Sequence, residues 1–196
     1  MKAVGAVLLL ASLGALPARA ETWPVPVEPA HRARLEARHG CEGGAMIAGI
    51  CEPANNVTLV EVQGPDDLAA LPLLPGLDRV NIAATLDMGA LTDDQWRSLA
   101  QLPRLRRLSL SNNALADLAP ITRLRGLQSL NIAGTAVSDL TPLAAMTGLR
   151  ALNLDRTSVA DLTPLRSLVA LDRLVLPDGT ILFDHAEVSA FLQGLR

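Results

Sequence analysis

A 22-residue spacing of apolar residues is the strongest constraint that this sequence places on its fold. The same pattern occurs three times in succession, with copies beginning at Leu105, Leu127 and Leu149. Positions 1, 4, 6, 11, 14, 17 and 20 of every copy are Leu, Ile, Val or Met. A repeat of this length indicates a solenoid, in which each copy buries its apolar face against its neighbours. We therefore expect a stack of thin layers rather than one globular core.

Looser copies of the same opening flank the regular block. Val57-x-x-Val60-x-Val62 and Leu77-x-x-Val80-x-Ile82 precede it, and Leu171-x-x-Leu174-x-Leu176 follows it. Together they give about six repeats over residues 57–177, with atypical end copies of the kind that cap a solenoid. Only 2% of the residues are aromatic, so the core must be built from aliphatic side chains.

The opening L-x-x-L-x-L-x-x-N/T is the leucine-rich repeat pattern. With Asp-Leu-x-Pro-Leu in the second half of the copy, it resembles the repeats of bacterial internalin-type proteins. The resemblance covers roughly residues 57–177 and implies an α/β fold. That fold is a right-handed solenoid with short parallel strands on its concave face, short helical turns on its convex face and a cap at each end. The resemblance implies little about function, because this repeat serves many different partners.

Polar residues at fixed repeat positions fit turns better than they fit catalysis. A short polar side chain at position 9, directly after each strand, can satisfy backbone groups of the turn. On the return side, Thr141-Pro142 predicts an N-cap and first residue of a helical turn. Asp139 lies just before it, where negative charge favours the start of a helix. The equivalent residues are Thr85, Asn113, Thr135 and Thr157 at position 9, Thr163-Pro164 at the second cap, and Asp117 and Asp161 before the turns.

Residues 1–20 have the order of a secretory signal peptide. Lys2 is followed by an apolar run over residues 3–16 and by Ala18-Arg19-Ala20, which predicts cleavage after Ala20. The run is shorter than the roughly 18 residues that span a bilayer, although an uncleaved anchor is the alternative. We expect an exported protein with no integral membrane segment after cleavage. Without an LPxTG-like anchor, a periplasmic or freely secreted protein fits better than surface display.

Residues 21–56 are expected to form an N-terminal extended segment, a helix and a cap. Three prolines over residues 21–29 favour extended backbone. A helix is predicted over residues 29–38, since Pro29 suits a first helical position and Gly40 suits a stop.

Cys41 and Cys51 are the only cysteines in the chain. In an exported protein an isolated pair predicts a disulfide, which here would tie the N-terminal cap. A metal site that includes His39 is the alternative, but it lacks a fourth ligand and the usual cysteine spacing. We therefore expect neither a metal nor another cofactor.

The longer second repeat and the C-terminal cap carry their own helix signals. Thr92-x-x-Gln95 predicts a capping box, and Trp96 on that helix is expected to pack into the flank of the solenoid. Over residues 178–196, Asp178-Gly179 predicts a hairpin turn. Asp184-x-x-Glu187 then predicts a final helix that ends near Gly194, with His185 as a surface residue of its first turn.

No catalytic constellation is visible in the sequence. His31, His39 and His185 fall at opposite ends of the predicted solenoid, and neither a G-x-S-x-G nor an H-E-x-x-H motif occurs. The net charge of −3 argues against nonspecific binding of nucleic acid, which requires a basic surface. We expect that the protein is not an enzyme.

The candidate binding site is the concave face of the predicted sheet. Alternate strand residues point away from the core, so positions 3, 5 and 7 are expected to face a partner. Position 5 is rich in Asn and Ser, and arginines at position 3 can hold carboxylates. In the second copy, Ser129, Asn131 and Ala133 are expected to be free for a ligand. The candidate residues are Arg79, Asn81, Arg107, Ser109, Ser129, Asn131, Asn153, Asp155 and Arg173.

The preferred hypothesis is an exported, non-catalytic interaction module that binds a protein or an envelope component through this face. A structural spacer of the cell envelope with no specific ligand is the second hypothesis, because the aromatic anchors of strong interfaces are missing from the face. An enzyme is the third.

Overall fold

The computed structural model describes Glu36 and residues 40–41, 44–47, 50–53, 58–62, 65–82 and 91–195, with only the backbone described over residues 40–53. Its main element is a seven-stranded sheet in which six strands run parallel and follow chain order. The parallel strands are β4 (Leu59–Val62), β5 (Arg79–Ile82), β6 (Arg107–Ser109), β7 (Ser129–Asn131), β8 (Ala151–Asn153) and β9 (Arg173–Val175).

The pairing register repeats without a slip from one copy to the next. Leu108 of β6 is level with Leu130 of β7, which is level with Leu152 of β8. All the side chains of one repeat position therefore form a row across the sheet. This register confirms the parallel strands that the repeat predicted.

The apolar positions of the three regular copies fill the interior. All of them are buried except Leu162, which is partly buried and packs against the same core. A buried Leu, Ile or Val contributes about 1.5–3 kcal/mol relative to an exposed one. Since every layer contributes the same set of side chains, the solenoid is stabilised layer by layer.

Each regular copy turns out of its strand through a left-handed residue at position 8. The φ angles of Asn112, Gly134 and Arg156 are 56°, 67° and 54°. Their backbone N–H groups donate to the position 7 carbonyl of the next copy, at 2.7, 2.7 and 3.0 Å. The left-handed turn thus extends the hydrogen-bond ladder beyond the strands.

The side chains at position 9 form hydrogen bonds to backbone groups of the turn, as predicted. The hydroxyl groups of Thr135 and Thr157 donate to the carbonyls of Ile132 and Leu154 at 2.6 and 2.7 Å. Asn113 reaches further and donates its amide to the Ile82 carbonyl of the preceding copy at 3.1 Å. Thr85 lies outside the described residues.

The convex side of the regular copies consists of short 3₁₀ turns, which confirms the predicted helical turns. The caps differ from the prediction, however. Thr141 and Thr163 are the first residues of their turns and not N-caps, and Leu140 and Leu162 occupy the cap positions without a side-chain bond. The turns are Ala119–Arg123, Thr141–Ala145 and Thr163–Ser167.

The aspartates two residues earlier satisfy the backbone instead. Asp117, Asp139 and Asp161 accept the N–H groups of the first turn residues at 2.7, 2.8 and 2.8 Å. Hydrogen bonds from the hydroxyl and the backbone of Thr141 lower the pKa of Asp139, and those from Thr163 lower the pKa of Asp161. Each carboxylate reaches over the intervening leucine to the N–H of the first turn residue, so it takes the place of a hydroxyl cap.

The first two repeats carry true helices on their outer sides. They are α1 (Pro65–Ala70), followed by a 3₁₀ turn over Leu71–Leu73, and α2 (Asp93–Ala100). Thr92 and Gln95 form the predicted capping box, with bonds of 2.8 and 3.3 Å. Trp96 is only 2% exposed, which confirms its packing in the flank.

The C-terminal end closes with a hairpin and a helix, as predicted. Gly179 has a φ of 85° at the turn, and β10 (Ile181–Leu182) pairs antiparallel with β9. Asp184 caps α3 (His185–Gly194) by accepting the Glu187 N–H at 2.8 Å. The buried Val188 and Leu192 of α3 cover the last layer.

At the N-terminal end a three-stranded antiparallel sheet is formed by β1 (Gly40–Cys41), β2 (Gly44–Ile47) and β3 (Ile50–Pro53). Its central strand β2 lies between the strands that hold Cys41 and Cys51. The cysteine side chains lie outside the described residues, and the disulfide stays a prediction. Of the helix predicted over residues 29–38 only Glu36 is described, and it is helical.

Replacing Gly134 with Ala should destabilise the protein by about 2 kcal/mol. A left-handed conformation costs a non-glycine residue about 1–2 kcal/mol, and a Cβ here would lie 2.3 Å from Oδ1 of Asn112. Equilibrium denaturant unfolding measures the loss. Gly148→Ala is the matched control, because a Cβ at Gly148 meets no atom within 4 Å. Equal effects of the two substitutions would contradict the turn geometry.

Asp139→Asn combined with Asp161→Asn should reduce how steeply the free energy of unfolding falls at acidic pH. Both folded-state pKa values are lowered, so the aspartates stabilise the fold fully above the unfolded pKa of about 3.9 and lose this effect as pH falls through their folded values. Denaturant unfolding between about pH 6 and pH 2.5 should show wild type and variant converging at the acid end. A constant difference across this range would contradict the assignment.

Candidate binding face

The predicted binding residues do lie together in rows on the outer side of the sheet. At position 3, Arg79 is level with Arg107, Ser129, Ala151 and Arg173 on successive strands. All five are exposed or partly exposed, whereas the position 4 residues between the rows are buried. The position 5 row contains Asn81, Ser109, Asn131, Asn153 and Val175.

Two of the three position 5 asparagines are bonded to their own turns. Oδ1 of Asn131 accepts the Ala133 N–H at 3.1 Å, and Oδ1 of Asn153 accepts the Asp155 N–H at 2.9 Å. The amide of Asn131 also donates to the Ser109 hydroxyl at 3.4 Å. Asn side chains commonly bind the backbone two residues ahead in this way. These asparagines thus support the fold, and their acceptors are not free for a ligand.

Two charged members of the predicted set also have partners within the chain. Asp155 accepts from Nε of Arg156 at 3.0 Å. Nε of Arg79 lies 3.5 Å from Oδ1 of Asp78. Exposed ion pairs of this kind contribute about 0–1 kcal/mol, so a partner can compete for either group.

Four predicted residues offer side chains without an internal bond. Within residues 58–62, 65–82 and 91–195, the side chains of Asn81, Arg107, Ser129 and Arg173 make no hydrogen bond or ion pair to other described residues. Ala133, which was expected to be free for a ligand, is only 6% exposed and belongs to the buried set. The backbone N–H of Ala133 donates to Oδ1 of Asn131, and this hydrogen bond keeps position 7 close to the sheet. The available polar groups are therefore concentrated at position 3.

Apolar side chains lie at both ends of the face, and the sequence analysis missed those at the C-terminal end. Leu59 is 54% exposed at the start of the position 3 row. Ile181, at 45%, is level with Val175 and so extends the position 5 row onto β10, and Phe183 beyond it is 67% exposed. Alternation over Ile181-Leu182-Phe183 would have indicated this, since Leu182 alone of the three is buried. The face is therefore polar in the middle and apolar at its ends.

The described residues contain neither a metal-binding cluster nor a membrane-spanning helix. No three His, Cys, Asp or Glu side chains among them are close enough to hold a metal ion, and none of their helices is long and apolar enough to cross a bilayer. The Nδ1–H of His185 donates to the Leu171 carbonyl at 3.0 Å, and the same nitrogen lies 3.4 Å from Oδ1 of Asp172.

Comparison with known proteins places these repeats. The family model described as leucine-rich repeats (two copies) matches residues 103–145. A search of curated proteins found no match.

Among solved structures, an internalin C2 from Listeria monocytogenes matches with a TM-score of 0.51 and 30% identity, over 62% of this chain and 51% of that one. A second internalin from the same species matches with a TM-score of 0.44 and 22% identity, over 74% of this chain and 46% of that one. The chain spans about half the length of these two proteins.

Residues 103–145 therefore match leucine-rich repeats, and the α/β solenoid is similar in fold to internalin C2. Such solenoids are interaction modules, because their stacked repeats form an extended concave surface.

Proposed function

We propose that the chain is an exported, non-catalytic module that binds a protein or an envelope component through its concave face. The observation that carries this proposal is the position 3 row. It presents Arg107, Ser129 and Arg173 on the outer side of the sheet, where their side chains have no bond to the described residues.

The dimensions of the face suit a peptide or the edge of a small domain. Six strands at about 4.8 Å spacing make a surface roughly 24 Å across. Its arginines can hold carboxylates, and Ser129 can donate to or accept from a backbone. Phe183 and Ile181 add the apolar contact that an energetically strong interface requires. A partner that contacts both the polar middle and the apolar C-terminal end of the face would use the polar and the apolar contacts together.

A structural spacer is the second candidate function, and the bonding of the position 5 row favours it. Asn131 and Asn153 use their carbonyl oxygens to hold the turns, so a row that resembles a recognition surface in the sequence is partly scaffold. The binding proposal therefore depends on position 3 and on the apolar ends of the face.

Ser129→Glu combined with Ala151→Glu should abolish capture of the partner while leaving the fold intact. Both positions lie at the centre of the face, and neither side chain supports a turn. Tagged chain is incubated with the native envelope fraction, crosslinked and recovered, and the bound material is identified by mass spectrometry. Ala136→Glu with Ala145→Glu is the matched control, because these alanines are exposed outside the rows of the face.

Loss of the same bound component from the concave variant, but not from the control, is the expected result. Capture that is equal for both variants would exclude the concave face as the binding site. A third variant, Ile181→Ser with Phe183→Ser, tests the apolar end separately and should weaken capture.

Export should leave a mature chain that begins at Glu21. The full-length sequence is expressed in a bacterium and fractionated, and intact mass is measured on the periplasmic and extracellular material with and without reduction. The expected mass is that of residues 21–196. If Cys41 and Cys51 form a disulfide, the mass before reduction is lower than the mass after reduction by two hydrogens. Recovery of the uncleaved chain in the membrane fraction would instead favour a retained anchor.

A further inference from the structure

Basic and acidic side chains lie at opposite ends of the strands. From the repeat of Leu77 onwards, positions 21, 22, 1, 2 and 3, at the N-terminal ends of the strands, contain seven arginines and two aspartates. Positions 7–16 of the three regular copies, beyond the C-terminal ends, contain four aspartates and one arginine. At the N-terminal ends the arginines are Arg79, Arg104, Arg106, Arg107, Arg125, Arg150 and Arg173, and the aspartates are Asp78 and Asp172. Beyond the C-terminal ends the charged residues are Asp117, Asp139, Asp155, Asp161 and Arg156.

Five of these arginines belong to adjacent repeats. We call Arg79, Arg104, Arg106, Arg107 and Arg125 the arginine edge. Arg79 is level with Arg107 in the sheet. The backbone N–H of Arg106 donates to the Asp78 carbonyl at 2.8 Å. On the other side, the Arg106 carbonyl accepts the Gln128 N–H at 2.7 Å. The arginine edge is therefore continuous across three strands.

A glycine brings the side chain at the start of one copy close to the end of the same copy. A Cβ at Gly126 would lie 2.9 Å from Nη1 of Arg106. The guanidinium of Arg106 thus occupies the space above Gly126, and Gly126 directly follows Arg125 in the chain. Any larger residue at this position would have to displace the guanidinium.

The charge of the arginine edge is largely uncompensated. Arg104, Arg107 and Arg125 are exposed, and within the ranges for which side chains are described they form no hydrogen bond or ion pair. Among the described residues, the guanidinium of Arg106 donates to the Leu105 carbonyl alone, at 3.2 Å, and the guanidinium of Arg79 faces Asp78.

Four of the six other arginines whose side chains are described pair with an aspartate, whereas Arg166 and Arg173 do not. Arg123 pairs with Asp93 at 3.1 Å and Arg150 with Asp172 at 3.4 Å. Like charges that crowd together without a counter-ion repel each other, so an anion bound at the arginine edge would relieve that repulsion.

We propose that the arginine edge binds a carboxylate-rich segment of a partner protein. The planar guanidinium binds a carboxylate through two parallel hydrogen bonds, which a row of arginines can repeat. This inference rests on the proposed function, because the arginine edge adjoins the concave face and shares Arg79 and Arg107 with it.

The size of the arginine edge favours a peptide over a larger polyanion. Three strands at about 4.8 Å spacing span roughly 10 Å, which accommodates a few carboxylates of one extended segment. A nucleic acid or an anionic bilayer needs a broad basic surface. Here the chain carries a net charge of −3, and the positions beyond the C-terminal ends of the strands are acidic.

The test uses a fluorescently labelled peptide of ten glutamates and measures its anisotropy on titration with the full chain. We expect binding that weakens as salt increases. Arg104→Gln, Arg106→Gln and Arg125→Gln together should weaken it by about tenfold or more. Arg97→Gln, Arg156→Gln and Arg166→Gln remove the same charge away from the arginine edge and should leave affinity within about twofold.

Each other outcome overturns the inference. Failure of the peptide to bind, or an equal loss in both triple variants, would show that no specific acidic-peptide site exists at the arginine edge. Binding of heparin but not of the glutamate peptide through the same arginines would assign the edge to an anionic glycan. The triple variant touches no residue of positions 3, 5 or 7, and the variant Ile181→Ser with Phe183→Ser changes the face at the end of the sheet away from the arginine edge. The two proposals can therefore fail independently.

Discussion

Each copy of the repeat buries its aliphatic side chains only against the copies before and after it, and the rest of the structure depends on this contact. Removing one layer would expose the apolar surface of two others. The contact requires that strands stay in register, because a slip by one residue would turn Leu130 and its equivalents to solvent. Hydrogen bonds from the left-handed residues Asn112, Gly134 and Arg156 to the following copy hold that register beyond the strands. The atypical ends follow from the same requirement, since α3 must cover the last layer.

The same requirement limits what remains for recognition. The aspartates before the 3₁₀ turns bind backbone groups of the copy to which they belong. So do Thr135 and Thr157 at position 9 and Asn131 and Asn153 at position 5. Position 3 is different, because no turn needs its side chain. Chemical variation is therefore found there, from Arg107 through Ser129 and Ala151 to Arg173. The arginine edge follows the same rule, since positions 21, 22 and 2 lie where the chain enters the strand and are not needed to fill the layer.

Much of the fold could be predicted from the sequence, because burial and strand alternation are periodic properties. The strands, their register, the capping box at Thr92 and the Asp178-Gly179 hairpin were all accessible in this way. The caps of the 3₁₀ turns were not, because Thr and Asp are both good caps and only the geometry shows that Asp139 reaches the N–H of Thr141. The left-handed turn was also hidden, since Asn112 and Arg156 replace the glycine that would indicate it. For the candidate site, the sequence predicted which side chains face outwards but not which are already bonded. Asn131, Asn153 and Asp155 therefore contribute less to a free surface than their positions suggest.

Site-specific photocrosslinking measures most directly whether position 3 meets a partner. A photoreactive residue is placed at Ser129 in one variant and at Ala145, on the convex side, in another, and each is irradiated in the native envelope fraction. A crosslink to one defined component from position 129 and none from position 145 is the result that we predict. Crosslinks from position 145 alone, or none from position 129, would contradict a binding role for the concave face.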